Sequence, residues 1–514
     1  MALTPPEASV ADGDPPVDAA GGSDATASAT SAPTDTDAPV SAVRRRITWF
    51  HWGLLAITIA GLVFRAGYVV QSRNDTSLCG NPTCGDAIYY SWQADVIGQG
   101  HGFADPRDLA RPAADHPPLT SLAMAPVTVV FGSTPRLLTE QRLLMAAFGA
   151  LVIIAVGFLG RAAAGSFQRT SPARASTIGL IAAGLAAINA NLWMNDVVIM
   201  SETLATLAIA LALLAVYRFI ATPTLVAAAV VGALIGLAAL ARAELLLLAP
   251  ITFVPVVLWA RTLSWPARLG RVGVAAVAVL VVLAPWTLYN RARFTEPVLM
   301  STNDGLTLIG ANCDDVYGVN GDGGLGFWSL NCAFAVDDQI PAGADQSVSS
   351  GVYRRIGVQY IKDHTDRVPE VMLYRQARLW SVYGPDQMVW FNTGEGRARW
   401  ASWVGFAQWW LLVVPAVAGA VLVRRRRDDL WPLASTFVIV AVTGFAFYGI
   451  VRFRIAADLA VTVLAAVALE ALVHRLRAGR AGRTGPVDRA GGAGHGAQAD
   501  RQPEPAIDLT SAPG

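Results

Sequence analysis

The residues with the clearest chemical potential are acidic and basic side chains beside apolar runs. Asp86 follows the first such run, and Asp115 and His116 directly precede Pro117 and Pro118. A carboxylate can accept a proton during catalysis, and a nearby cation can stabilise an anion that forms in the reaction. An acid followed by a short helix and then a basic residue before two prolines is an unusual order. It makes this segment a candidate site.

Further polar residues stand at the ends of later apolar runs. They are Asp196, Glu202, Arg242, Tyr448, Arg452 and Arg454. Asp196 and Glu202 also have a purely structural interpretation, because the dipole favours acids at the start of a helix. Arg242 could simply pair with Glu244. The last two arginines interrupt apolar sequence on the predicted outer side of the membrane, where arginines are rarer, and this favours a function for them.

These residues belong to a chain whose composition is that of a membrane protein. Hydrophobic residues make up 54% of the 514 positions and charged residues 15%, with a mean hydropathy of +0.44. A soluble domain carries about 25% charged residues. The formal net charge of +1 argues against a nucleic-acid partner, which requires a basic face. The composition therefore predicts an all-α polytopic membrane protein.

Runs of about 20 mostly apolar residues predict the membrane spans. They lie near 48–70, 142–160, 177–195, 201–220, 224–241, 244–260, 272–290, 402–423, 431–451 and 454–473. The shorter run 119–131 is the candidate for an eleventh span. Lys and Arg collect on the cytoplasmic side, and all arginine-rich segments fall there only if this run does not cross. We therefore predict about ten spans, with 119–131 as a re-entrant or membrane-parallel element.

This topology divides the chain into a membrane domain, two outer segments and two tails. Residues 44–475 form the membrane domain, from which 71–141 and 291–400 emerge as extracytoplasmic loops. Residues 1–43 and 476–514 are expected to be disordered cytoplasmic tails, because their polar and small residues cannot bury enough apolar surface to offset the entropy lost on ordering.

The cysteines provide an independent test of this topology. Cys79 and Cys84 fall in the first outer loop, and Cys313 and Cys332 fall in the second. Disulfides persist outside the cytoplasm, so we predict one disulfide within each loop. A zinc site is the weaker alternative, because no Cys or His pairs complete a four-ligand spacing pattern.

The order of the polar motifs resembles that of the GT-C superfamily of membrane glycosyltransferases. The resemblance is to glycosyltransferase family 39, which includes the aminoarabinose transferase and protein O-mannosyltransferases. It extends over roughly residues 48–475. The motifs that carry it are Gly85-Asp86-Ala87-Ile88-Tyr89-Tyr90, Asp115-His116-Pro117-Pro118, Asn195-Asp196 with Met200-Ser201-Glu202, Arg242-Ala243-Glu244, Tyr360-Ile361-Lys362-Asp363-His364 through Trp380, and Tyr448 with Arg452-Phe453-Arg454.

The resemblance implies a reaction and a place for it. A sugar would move with inversion from a polyprenyl-phosphate donor to an extracytoplasmic acceptor in the cell envelope, which could be a glycan, a lipid or a protein. The enzyme would lie in the bacterial plasma membrane with its active face outward. A soluble nucleotide sugar is disfavoured as the direct donor, because no phosphate-cradling Gly-rich motif occurs.

The resemblance also implies roles for the candidate residues. Asp86 would be the general base, since the acid of the first loop is essential in this family. The residues expected to bind substrate or the leaving phosphate are His116, Asp196, Glu202, Arg242, Tyr448, Arg452 and Arg454. A divalent metal at Asp86, Asp115 and Glu202 is an open alternative, with Asp115 in the position of an acid that contacts metal. The alternative function is a polytopic transporter or lipid flippase, which would be expected to show internal repeats and acids within its spans.

Overall fold

The computed structural model describes most of the predicted membrane domain and both outer segments. The described residues are 48–72, 85–166, 170–321, 324–423 and 427–483, and the side chains of 72, 427–429 and 479–483 are not described. The predicted N-terminal tail and the predicted disulfide between Cys79 and Cys84 lie outside these ranges. The last helix continues to Arg483, so it includes the start of the segment predicted as the C-terminal tail.

The first half of the described chain is mostly helical, as expected where apolar segments must satisfy their backbone hydrogen bonds internally. A small antiparallel hairpin interrupts it in the first outer segment. The elements are α1 Trp49–Ser72, α2 Gly85–Gly98, β1 Ala104–Asp105, β2 Asp108–Pro112, α3 Leu119–Phe131, α4 Leu137–Ser166, α5 Pro172–Ile188, α6 Ala190–Trp193, a 3₁₀ turn Asn195–Val197, α7 Glu202–Ala221, α8 Leu225–Ala241, a 3₁₀ segment Ala243–Leu247, a π-helical segment Leu248–Phe253, α9 Val254–Trp259 and α10 Trp265–Arg291.

The second half contains the second outer segment and the last membrane helices. Its outer elements are α11 Asn303–Gly310, α12 Asp314–Tyr317, α13 Asn331–Phe334, a 3₁₀ turn Asp337–Gln339, α14 Gln346–Asp363, α15 Val368–Leu379 and α16 Pro385–Gly394. The elements that follow are α17 Arg399–Val423, α18 Arg427–Ala446, a 3₁₀ turn Val451–Arg454 and α19 Ile455–Arg483. The predicted disulfide between Cys313 and Cys332 is present and joins the start of α12 to α13.

The described helices confirm an all-α, multi-pass membrane protein. Six of them are long and apolar enough to cross a bilayer, and a bent pair formed by α5 and the short helices after it would be a seventh. The predicted spans 224–241, 244–260 and 431–451 correspond to shorter apolar helices. About ten spans therefore stay a prediction. Helix α3 has 13 residues, which at about 1.5 Å per residue is too short for a bilayer core of about 30 Å.

Small residues let the membrane helices approach one another closely. A side chain at Gly232 of α8 would lie 2.2 Å from the Ala275 carbonyl oxygen of α10. In the same way, a side chain at Gly419 of α17 would lie 2.0 Å from the Leu464 carbonyl oxygen of α19. Such contacts are typical of membrane helices, whose association depends on close packing rather than on exclusion of water. The backbones of these two helix pairs therefore lie in direct contact.

Candidate active site

A cavity of about 1860 Å³ lies between the two outer segments and the ends of the membrane helices. Six of the residues predicted from the sequence line it together. They are Asp86, Asp115, His116, Arg242, Tyr448 and Arg452. Glu202 is fully buried and contacts two of these residues, so it belongs to the same cluster.

The cluster forms where several helix ends meet. Asp86 stands in the first turn of α2 and Glu202 in the first turn of α7, positions where the helix dipole favours a carboxylate. Arg242 directly follows the last residue of α8. Arg452 lies in the 3₁₀ turn that leads into α19. Residues far apart in the chain are therefore placed within contact distance by the ends of rigid elements.

Arg452 is the centre of the cluster, because its guanidinium contacts three carboxylates. Nη2 donates a hydrogen bond to Asp86 over 2.5 Å, and Nη1 donates one to Glu395. Nε lies 2.7 Å from Oε1 of Glu202. The side chain of Arg452 is 10% exposed, so these charges interact with little screening by water.

Arg242 shares Glu202 with Arg452 and extends the network. Its Nη1 donates to Oε1 of Glu202 over 2.7 Å, and its Nε donates to Glu244 over 2.5 Å. The predicted pair of Arg242 and Glu244 is therefore present, but it is only one part of the arrangement. A fully buried carboxylate such as Glu202 requires cations around it, and two arginines supply them.

His116 joins Asp86 to Asp115. Its Nε2 lies 3.3 Å from Oδ1 of Asp86 and 3.7 Å from Oδ2 of Asp115. The imidazole stacks on the ring of Tyr90, with ring centroids 4.9 Å apart. It also makes an edge-to-face contact with the ring of Tyr89, with centroids 5.0 Å apart. The two tyrosines on α2 therefore hold the ring in a fixed orientation between the two acids.

The charges in this part of the cavity shift one another's ionisation. Burial would raise the pKa of Asp86, but Arg452 and His116 outweigh burial and hold that pKa well below its usual range. Burial lowers the pKa of a histidine, yet Asp86 and Asp115 together raise the pKa of His116. The pKa of Asp115 is raised, because burial outweighs its attraction to His116. Asp86 is therefore an ionised carboxylate, and the two acids favour the protonated form of the imidazole beside it.

Two of the residues predicted from the sequence lie away from the cavity. Asp196 is buried and accepts a hydrogen bond from Nε of Arg65 over 2.8 Å. Arg454 is buried too, donates to Ser381 over 2.6 Å and lies 3.4 Å from Asp458. Both residues pair with partners inside the helix bundle. The structure does not bring them together with Asp86.

Glu395 belongs to the cluster but was missed in the sequence. It directly follows α16. One of its carboxylate oxygens contacts Arg452 and the other contacts Arg397. Gly396 between the two has a φ of 88°, a left-handed backbone conformation that favours glycine and turns the chain so that Glu395 and Arg397 can meet. No local pattern marks this acid. Only the need of Arg452 for further counter-charge could have indicated it.

The other part of the cavity is apolar. The chain that follows Arg242 and the end of α18 form this wall, which includes Leu246, Leu247, Pro250 and Val442. The cavity therefore presents charged groups in one part and hydrocarbon in another, so it suits an amphipathic ligand.

The three acids considered as metal ligands do not form a ligand set in the structure. Both oxygens of Asp86 face cations, namely Arg452 and His116. Oε1 of Glu202 lies between two arginines. Within the described ranges, no group of three or more His, Cys, Asp or Glu side chains is placed to hold a metal ion. Arginines therefore neutralise two of these acids, Asp86 and Glu202.

No protein-family model and no curated protein sequence matches the chain. An archaeal oligosaccharyltransferase, AglB from Archaeoglobus fulgidus in complex with an inhibitory peptide and a dolichol-phosphate, is similar in structure, with 13% identity and a TM-score of 0.46. That match covers 86% of this chain and 53% of the archaeal chain. The chain thus spans about half the length of this enzyme.

Two further solved structures are similar. ArnT from Cupriavidus metallidurans bound to undecaprenyl phosphate has 14% identity and a TM-score of 0.37, with 86% of this chain and 82% of that chain covered. The protein O-mannosyltransferase Pmt1-Pmt2 complex of S. cerevisiae bound to the sugar donor has 14% identity and a TM-score of 0.36, with 52% and 36% covered. All three identities are at or below 14% and all three TM-scores are below 0.5, so these likenesses carry no conclusion about the activity of this chain.

Proposed function

We propose that this protein is an inverting glycosyltransferase that moves a sugar from a polyprenyl-phosphate donor to a hydroxyl group of a cell-envelope acceptor outside the cytoplasm. The observation that carries the proposal is the division of one cavity into a charged part and an apolar part. The charged part suits a phosphate and a sugar, and the apolar part suits the lipid chain. This division matches the chemistry of a lipid-linked sugar.

In the proposed reaction, the acceptor oxygen attacks the anomeric carbon while the bond from that carbon to the phosphate oxygen breaks. The electron pair of the broken bond stays on the lipid phosphate, and the acceptor proton passes to the Asp86 carboxylate. His116 and Arg452 lie beside Asp86, so the negative charge that develops on the phosphate would lie near the imidazole and the guanidinium. One displacement of this kind inverts the configuration of the anomeric carbon.

The low pKa of Asp86 makes it a weak base while the cavity holds no substrate. A donor phosphate in the same cavity would place negative charge near this carboxylate. A like charge disfavours the ionised form and therefore raises the pKa of a carboxyl group. Donor binding would thus bring Asp86 closer to the range in which a general base works best.

The proposal is tested with the purified chain, a labelled polyprenyl-phosphate sugar and envelope membranes as acceptor. Asp86→Asn keeps the shape of the side chain and removes the base, so transfer should fall about 10² to 10⁴-fold. Asp108→Asn is the matched control, because Asp108 is an exposed acid of the same outer segment. Unchanged transfer by the folded Asp86→Asn variant would remove Asp86 from the mechanism. Binding of the lipid by wild type without any transfer would favour a transporter instead.

A further inference from the structure

The arginines of the cluster are already matched by carboxylates. Arg452 and Arg242 contact four acids between them, and Arg397 contacts one of the four. These acids are Asp86, Glu202, Glu244 and Glu395. Three guanidinium groups thus face four carboxylates. An incoming phosphate would have to compete with these carboxylates for every arginine in the cluster.

Arg107 is a different kind of cation in the same cavity. It occupies the turn between β1 and β2, it is exposed, and it lines the cavity together with Asp86 and His116. Across the described part of the chain, its guanidinium makes no ion pair. Its hydrogen bond to Asp105 is donated by the backbone N–H and leaves the guanidinium unused. The charge of Arg107 is therefore available to an anion from outside.

The two acids nearest to Arg107 in sequence have other partners. Asp105 accepts a hydrogen bond from the backbone N–H of Arg107 over 2.9 Å and another from Gln346 over 3.3 Å. Asp108 lies 3.2 Å from Nε of Arg111. The hairpin thus satisfies its own carboxylates without using the Arg107 side chain.

The hairpin is anchored to the second outer segment, so the position of Arg107 is defined. Arg293 donates to the carbonyl oxygens of Phe103 over 2.6 Å and of Ala113 over 3.3 Å, one on each side of the hairpin. Gln346 accepts a hydrogen bond from the backbone N–H of Ala114 over 3.0 Å. These contacts hold both ends of the hairpin.

Arg107 also lies close to the reacting groups. Its positive charge acts on Asp115 and lowers the pKa of that carboxyl, although burial and other contacts raise it overall. Asp115 lies 3.7 Å from His116, which in turn lies 3.3 Å from Asp86. Arg107 therefore lines the same cavity as Asp115, which is linked through His116 to the proposed base.

We propose that Arg107 forms an anion subsite at the mouth of the cavity and binds a phosphate oxygen of the lipid-linked donor. This inference rests on the proposed function for the identity of the ligand. The guanidinium of Arg107 can bind the phosphate without first breaking an ion pair with a carboxylate. The cluster around Arg452 can then stay intact when the donor enters. Arg107 acts in donor binding and does not exchange a proton with the acceptor.

The test compares binding of undecaprenyl phosphate with binding of undecaprenol, its uncharged counterpart, to the purified full chain in detergent. In Arg107→Ala, binding of the phosphate should weaken about tenfold, which corresponds to one charge-assisted hydrogen bond, while binding of the alcohol stays unchanged. Arg107→Lys should recover part of the loss, because it keeps the charge. Arg111→Ala is the matched control, an arginine of the same hairpin that already has a carboxylate partner.

The outcomes separate this inference from the proposed function. In transfer assays Arg107→Ala should raise the KM for the donor with little change in kcat, whereas Asp86→Asn should lose kcat and still bind the lipid phosphate. Equal phosphate affinity in Arg107→Ala and wild type would overturn the inference and leave the transferase proposal standing. A change confined to the KM for the acceptor would overturn it as well. If wild type transfers no sugar but its phosphate binding depends on Arg107, the subsite stands and the transferase proposal fails.

Discussion

Replacing Arg452 with glutamine should destabilise the folded protein more at neutral pH than in acid. The substitution leaves Asp86, Glu202 and Glu395 without a shared cation, in a place where Arg452 itself is only 10% exposed. Breaking a buried ion pair by removing one partner costs about 3 to 5 kcal/mol. In a chain of this size that corresponds to a fall in Tm of roughly 3 to 5 °C.

The pH dependence follows from the pKa of Asp86. In wild type that pKa is depressed, so the stability it contributes is present above the unfolded value of about 3.9 and is lost as pH falls through the folded value. Without Arg452, burial is opposed only by His116, and the pKa of Asp86 should rise above the unfolded value. The deficit of the variant should therefore grow as pH increases above about 4.

The assay is thermal unfolding of the purified proteins in detergent at about pH 4.5 and about pH 7.5. Arg111→Gln serves as the control, because its exposed pair with Asp108 should contribute at most about 1 kcal/mol. A deficit for Arg452→Gln that is equal at both pH values, or no larger than that of the control, would refute the assignment of Arg452 as the shared cation.

Two further substitutions test the surroundings of the cluster. Asp86 and Asp115 raise the pKa of His116 against the opposing effect of burial, so the stability that its protonation contributes is complete below about pH 6.5 and is lost as pH rises through the folded pKa. The Tm of wild type should therefore fall over this pH range, and His116→Gln should abolish that fall. A variant with the same dependence of Tm on pH as wild type would contradict this prediction. Asp196→Asn leaves the buried Arg65 without its carboxylate and should lower the free energy of unfolding by about 3 to 5 kcal/mol. Sugar transfer per folded molecule should stay at the wild-type level. Loss of transfer in a stable variant would instead place Asp196 in the site.

The sequence predicted the membrane class and much of the cluster for identifiable physical reasons. Long apolar runs leave few alternatives to helices in a bilayer, so the predicted spans coincide with apolar helices. Polar residues at the ends of such runs are confined to the same layer, which made a meeting of Asp86, His116, Arg242 and Arg452 plausible. The family resemblance added the order in which they should occur.

The partners of individual charges could not be predicted in this way. Arg452 and Arg454 have the same charge and are separated by one residue, yet one lines the cavity and the other pairs within the bundle. Which of them faces the cavity depends on the local turn and on tertiary packing. Glu395 follows a short helix in the second outer segment, and its contact with Arg452 depends on how that whole segment folds.

Asp86 and Arg452 pair although 366 positions separate them in the chain, so this pair can form only after Arg452 has been synthesised. When α7 enters the bilayer during synthesis, Arg452 has not yet been added to the chain. Until it arrives, Glu202 lacks one of its two cations. The pocket can therefore close only after α19 begins to emerge. Ribosome-bound chains that end before residue 452 should lack it.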